Sequence, residues 1–218
     1  MPIPRLVSDR HRPTLPELLA PLPRRAVVAV AVLAGLILVG LIGARLAPGE
    51  PSRVFVHRGE PPFNFAYGER LEPTTAARPE FVALEQRRGE LFVQSFVVRA
   101  AALPAHRTGT IGGILPIVGD REVDALARRF QEFELVAEGK ARINDVPGYE
   151  VIFRARLGER RLYGRVVLLP EPVPGSRRAV ALELLGTPVS GVANARDVGN
   201  NGVLKLPLRS FRFGVERP

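Results

Sequence analysis

The side chains able to do chemistry are few in kind. The 218-residue chain has no cysteine, and its histidines are His11, His57 and His106. Without thiols there is no disulfide framework, no Cys-ligated zinc, no iron–sulfur cluster, no thiol nucleophile and no cysteine-borne lipid anchor. Serines stand at positions 8, 52, 95, 176, 190 and 210, none in a G-x-S-x-G elbow or an S-x-x-K pair, so serine hydrolysis is not expected. Residues 108–113 (TGTIGG) are glycine-rich but lack the Lys-Ser/Thr of a phosphate loop and the spacing of a dinucleotide fingerprint, and read as a flexible loop. Asp120, Glu122 and Asp124 imitate the start of a calcium loop without its glycine and distal glutamate; the first turn of a helix explains the acids better through its dipole. His57 and His106 read as ordinary surface histidines. No catalytic residue, cofactor or metal site is expected.

Arginine is the exception. All but two of the 31 basic residues are arginine, the others being Lys140 and Lys205, and the net charge is +9. Such a charge suits phosphate binding, yet the arginines are spread as singles and pairs such as Arg24-Arg25, Arg128-Arg129 and Arg177-Arg178 rather than gathered in a tract. Nucleic acid is therefore not an expected partner. One local group stands out: Arg154, Arg156 and Arg165, with Tyr163, fall on the outward face of a predicted hairpin. Like charges facing each other on a sheet need anionic company. Either Glu150 or Glu183 supplies it, or the face meets an anionic partner.

That hairpin is the clearest structural signal. With Glu159-Arg160 as the turn, Val151 faces Leu168, Phe153 faces Val166, Ala155 faces Gly164 and Leu157 faces Leu162, all inward. Two small residues facing each other leave room at Ala155 and Gly164, for a packed helix or as a candidate pocket. Further strands are predicted over 53–56, 63–67, 81–86, 91–99, 178–185 and 206–213. A turn at Arg88-Gly89 would set Phe81 opposite Phe96. One helix is predicted to start with Asp120 as N-cap and to bury Val123, Leu126, Ala127 and Phe130. A second is predicted from Thr187 as cap and Pro188, carrying Val189, Val192, Ala193 and Arg196, and stopping near residues 199–202 (GNNG).

Ahead of these elements, residues 26–44 form an uninterrupted apolar run, about 28 Å long if helical and close to the ~30 Å bilayer core. It is flanked by Arg24, Arg25 and Arg45. The expected organisation is a proline-rich basic cytoplasmic tail (1–25), a transmembrane helix acting as an uncleaved signal anchor (26–44), a linker (45–52) and an extracytoplasmic domain (53–218). Arg5, Arg10, Arg12, Arg24 and Arg25 against Asp9 and Glu17 put the N-terminus in the cytoplasm and the large domain outside, at the cell membrane. The lipid bilayer is the first expected partner. Ala31 with Gly35 and Gly40 with Ala44 are small-xxx-small pairs through which a homodimer could form.

The expected fold class is α+β: one transmembrane helix followed by a curved antiparallel β-sheet packed with two helices. Residues 144–150 (NDVPGYE), leading into the hairpin, and the closing 209–213 (RSFRF) resemble PsbP-like α/β sandwich domains. The whole chain is similar to arginine-rich single-pass membrane proteins of high-GC actinobacteria. These resemblances imply a binding or structural role rather than catalysis. The leading expectation is thus a non-enzymatic envelope protein with an extracytoplasmic protein-interaction or scaffold domain. The alternative is a binding module or sensor for an apolar or amphiphilic small ligand, held near Ala155 and Gly164, or for an anionic envelope component.

Overall fold

The computed structural model describes residues 52–106, 109 and 111–216. In chain order the elements are β1 (Ser52–His57), β2 (Phe63–Gly68), β3 (Glu72–Thr74), β4 (Glu80–Arg88), β5 (Leu91–Ala102), α1 (Ile111–Arg129), β6 (Gln131–Ile143), β7 (Val146–Leu157), β8 (Arg160–Pro170), β9 (Arg178–Gly186), α2 (Lys205–Ser210) and β10 (Arg212–Phe213). Two short 3-10 turns, Pro188–Ser190 and Ala195–Asp197, lie between β9 and α2. The strands make two antiparallel sheets, one ordered β3-β4-β5-β9-β8-β7-β6 and a smaller one ordered β1-β2-β10.

The large sheet has elements packed on both faces, and its central strands show why. β8 and β9 are apolar on both sides of the pleat, so a single covering layer would leave half of those side chains in water. On one face α1 buries Leu115, Val118 and Leu126 against Tyr149, Val151, Phe153, Val166 and Leu168. On the other, Ile152, Val167, Leu182, Leu184 and Phe96 pack against Phe63 and Phe65 of the small sheet and against Leu208 and Phe211 from the C-terminal segment. β2 is buried along its whole length.

These layers correct the expected fold class. There are two sheets rather than one curved sheet, and strand dominates the described residues. Among them no helix is long and apolar enough to cross a membrane, and the fold of this domain contains no transmembrane helix. The expected span at 26–44, its flank Arg24, Arg25 and Arg45, and the pairs Ala31 with Gly35 and Gly40 with Ala44 lie outside the described residues.

Both predicted helices are also corrected. α1 begins at Ile111, taking in Gly112 and Gly113 of the expected loop, so Asp120 is an exposed mid-helix residue and Ala127 faces solvent. The second helix does not form. Thr187 is extended, its hydroxyl donates to the Val93 carbonyl at 2.9 Å, and Gly191 at φ +87 ends the first 3-10 turn. Where a last strand was predicted over 206–213, the chain makes α2 first and only Arg212 and Phe213 return, beside β2.

The β8–β9 connection is pinned by Glu171. Its carboxylate accepts from Ser176 Oγ at 2.6 Å and from Arg178 Nε at 2.9 Å, and Arg178 reaches on to Glu60. Burial pushes the Glu171 carboxyl up, but the bonds from Arg178 and Ser176 together outweigh it and hold the group below its ordinary value. A carboxylate depressed in the folded state stabilises fully above its unfolded pKa and loses that contribution as pH falls through the folded one. The gap in unfolding free energy between wild type and Glu171→Gln is therefore expected to be constant at neutral pH and to close only on the acid side. Urea titrations at stepped pH measure it, and a gap independent of pH contradicts the assignment.

Candidate functional site

The β7–β8 hairpin turns at Gly158-Glu159, so Val151 faces Val166, Phe153 faces Gly164, Ala155 faces Leu162 and Arg154 faces Tyr163. The register differs from the predicted one by two residues, which keeps every side chain on its expected face. Gly164 therefore lies beneath Phe153 rather than Ala155. A Cβ at Gly164 would overlap the Phe153 ring, which occupies the space predicted there as a pocket.

The outward row is brought together, but most of it is already satisfied. Arg154 holds Glu134 of β6 through two bonds, one of them Nε at 2.6 Å, and this partner raises its already high pKa. Arg156 reaches Glu132 at 3.2 Å and donates to the Glu159 carbonyl at 3.0 Å. Arg165, with an 11% exposed side chain, is bound to Glu150 and also donates to Asn200 Oδ1 at 3.0 Å and the Val198 carbonyl at 3.3 Å. Tyr163 is buried in the core between the sheets. Glu183, the other carboxylate expected here, points to the opposite face, where Arg129 reaches it at 2.7 Å and Arg99 at 3.8 Å.

What the row frames is an open groove of about 910 Å³ between the β6–β7–β8 end of the sheet and the 3-10 turn Ala195–Asp197. Arg154 and Arg156 line it, as do two arginines not singled out from sequence, Arg161 and Arg196. Both are exposed. Arg161 stands directly across the strand pair from Arg156. Among the described residues neither the Arg161 nor the Arg196 guanidinium has a carboxylate within salt-bridge distance. Strand alternation from Tyr163 and Arg165 puts Arg161 on the outward face and could have found it. No sequence signal places Arg196 there.

The remaining candidates carry little chemistry. His57 is half-buried rather than a free surface group: it stacks on Phe63 and lies against Phe81, with ring centroids 4.8 and 4.6 Å away, and burial lowers its pKa. His106 Nδ1 lies 3.0 Å from the Pro104 carbonyl. Glu122 is spent on Arg99. No group of three His, Cys, Asp or Glu side chains able to hold a metal occurs among the described residues.

No family model matches the chain, and no curated protein matches it. Solved structures do. LpqN of Mycobacterium tuberculosis, a protein involved in cell envelope biogenesis, superposes with a TM-score of 0.52 at 6% identity, over 77% of this chain and 92% of that one. PsbP of the cyanobacterium Synechocystis sp. PCC 6803 gives 0.49 at 14% identity, over 78% and 96%. The Ran-binding protein Mog1p of Saccharomyces cerevisiae gives 0.49 at 8%, over 76% and 96%. A PsbP-like structure is thus among the structural neighbours, and the likeness is one of fold.

Proposed function

We propose that the chain is a non-enzymatic protein-interaction domain of the cell envelope, and that it receives an acidic segment of a partner protein across the arginine-lined groove. The observation carrying this reading is the pair Arg161 and Arg196, two guanidiniums with no carboxylate partner among the described residues, on a groove whose other arginines are already paired. Guanidinium forks suit carboxylates geometrically, and a groove that keeps some of its forks free selects for a partner bringing its own acids. The fold shared with LpqN supports the envelope setting.

A fluorescein-labelled oligoglutamate peptide tests it by anisotropy. Arg161→Glu and Arg196→Glu are each expected to weaken binding about tenfold or more, and rising salt to weaken it further. Arg212→Glu, the same charge change on β10, is expected to do little. Equal losses from all three variants would reduce the effect to net charge and overturn the groove as the site, as would tighter binding to anionic vesicles than to the peptide.

A further inference from the structure

A second hollow lies on the opposite face of the large sheet, beside the C-terminal end of α1. It is a trough of about 590 Å³. Its floor is built from β4, β5, β9 and β8 through Ala83, Val97, Leu185 and Leu162, while Phe92 and Phe130 stand at its rims. α1 packs over β6 and β7, and among the described residues no helix lies above this part of the sheet face.

Two polar side chains interrupt the apolar floor, and both are nearly inaccessible. Ser95 is 4% exposed and Glu183 2% exposed. Both guanidinium contacts to Glu183 fall on Oε2, from Arg129 Nη1 at 2.7 Å and Arg99 Nε at 3.8 Å, and Oε1 has no partner among the described residues. The Ser95 hydroxyl has none either. Neither atom is walled in by protein: the one fully enclosed side-chain polar atom without a partner, among the described residues, is Asn64 Oδ1. Ser95 and Glu183 instead line the trough. Val97 is the strand partner of Glu183 and Leu185 that of Ser95, so the two polar residues are diagonal neighbours, about 7–8 Å apart at the backbone. Both atoms can bond only into the trough, so a ligand that covers the floor must bond them or leave them unsatisfied at a cost.

The lining also indicates the ligand's charge. Arg87 is bound to Glu85, Arg129 to Glu183, and Arg156 to Glu132 of the other groove, which leaves no free arginine on the trough for an anionic head to answer. Past Phe92 and Leu157 the trough opens into a smaller, polar hollow of about 360 Å³ edged by Glu90, Glu159, Arg160 and Thr187, so the apolar floor runs the other way, over Val97 and Ala83. We propose that this trough binds a neutral amphiphile, a single alkyl chain whose hydroxyl head donates to Glu183 Oε1 and bonds Ser95 Oγ while the chain lies over Ala83, Val97 and Leu185. Arg156 borders both hollows, but Ser95 and Glu183 lie on the opposite face of the sheet from Arg161 and Arg196, so either site can fail without the other.

Calorimetric titration of the full chain with octane-1,2-diol tests the proposal. Saturable one-to-one binding is expected, weakened about tenfold by Ser95→Ala, which removes one hydroxyl at nearly constant volume, and abolished by Val97→Phe, which fills the floor. Circular dichroism establishes that the second variant is folded; if it is not, Ser95→Ala decides alone. Arg161→Glu is expected to bind the diol as wild type does. Absence of saturable heat, unchanged affinity in Ser95→Ala, or tighter binding of octylamine or octanoate than of the diol would each overturn the proposal.

Discussion

Phe153→Ala is expected to lower the unfolding free energy by about 3–5 kcal/mol, the cost of removing a fully buried aromatic ring from a packed core. Phe153 has no exposed surface, its ring sits 5.6 Å from Phe130 and 5.4 Å from Phe133, and it fills the space over Gly164 on the neighbouring strand. Gly164 is thus small because Phe153 is large. Gly164→Ala should cost about 1–3 kcal/mol by forcing that ring aside, since Phe130 and Phe133 flank it. The two changes should not add. Once the ring is gone the three atoms nearest the new Cβ are gone with it, so the double variant is expected to be no less stable than Phe153→Ala alone. Urea unfolding of the three variants measures the coupling, and simple additivity would show that the two residues do not share one space.

The same pair shows how far the sequence could be read. Strand alternation assigned the right faces to 149–169, because a two-residue shift leaves every face unchanged. It could not fix the register, since the inward set is apolar in either alignment. Turn chemistry decides it: Gly158 takes φ +61 at the first position of a two-residue turn, where glycine has no steric penalty, and Gly89 does the same at φ +57 before Glu90 in the β4–β5 hairpin. Both turns are Gly-Glu, and in both the predicted turn was displaced from that pair.

Other elements were legible only in three dimensions. Gly112, Gly113 and Pro116 are poor helix formers, yet Leu115, Val118 and Gly119 are drawn against the sheet, and Gly119 must lack a side chain to clear the Tyr149 ring. Burial wins over propensity there. β6 was not predicted: it is an exposed edge strand with two register shifts, which break the alternation that would reveal it. The groove was half legible. Arg154 and Arg156 follow from alternation, but their partners Glu132 and Glu134 lie on that unread strand, and Arg196 arrives on a 3-10 turn whose path is set by tertiary packing.

Arg129→Met is expected to be the most damaging change among the charged residues, at about 2–3 kcal/mol. Glu183 is 2% exposed, and Arg129 at 2.7 Å is its near partner; Arg99, at 3.8 Å, is already bound to Glu122. Methionine keeps most of the apolar stem but strands a buried carboxylate, and the cation over the Phe130 ring at 4.7 Å is lost with it. The expected loss is smaller than the ~3–5 kcal/mol typical of breaking a fully buried pair because the Arg129 side chain is 52% exposed, which lets water share the solvation of the site. Removing the acid instead should cost less. In Glu183→Gln, Arg99 keeps Glu122 and Arg129 can turn into solvent, so a loss of about 1 kcal/mol is expected. The double variant Arg129→Met with Glu183→Gln should then be more stable than Arg129→Met alone, because the stranded charge has gone. Chemical unfolding of the four proteins settles the order, and a double variant less stable than Arg129→Met would mean that the arginine stabilises the fold through its packing rather than through the buried carboxylate.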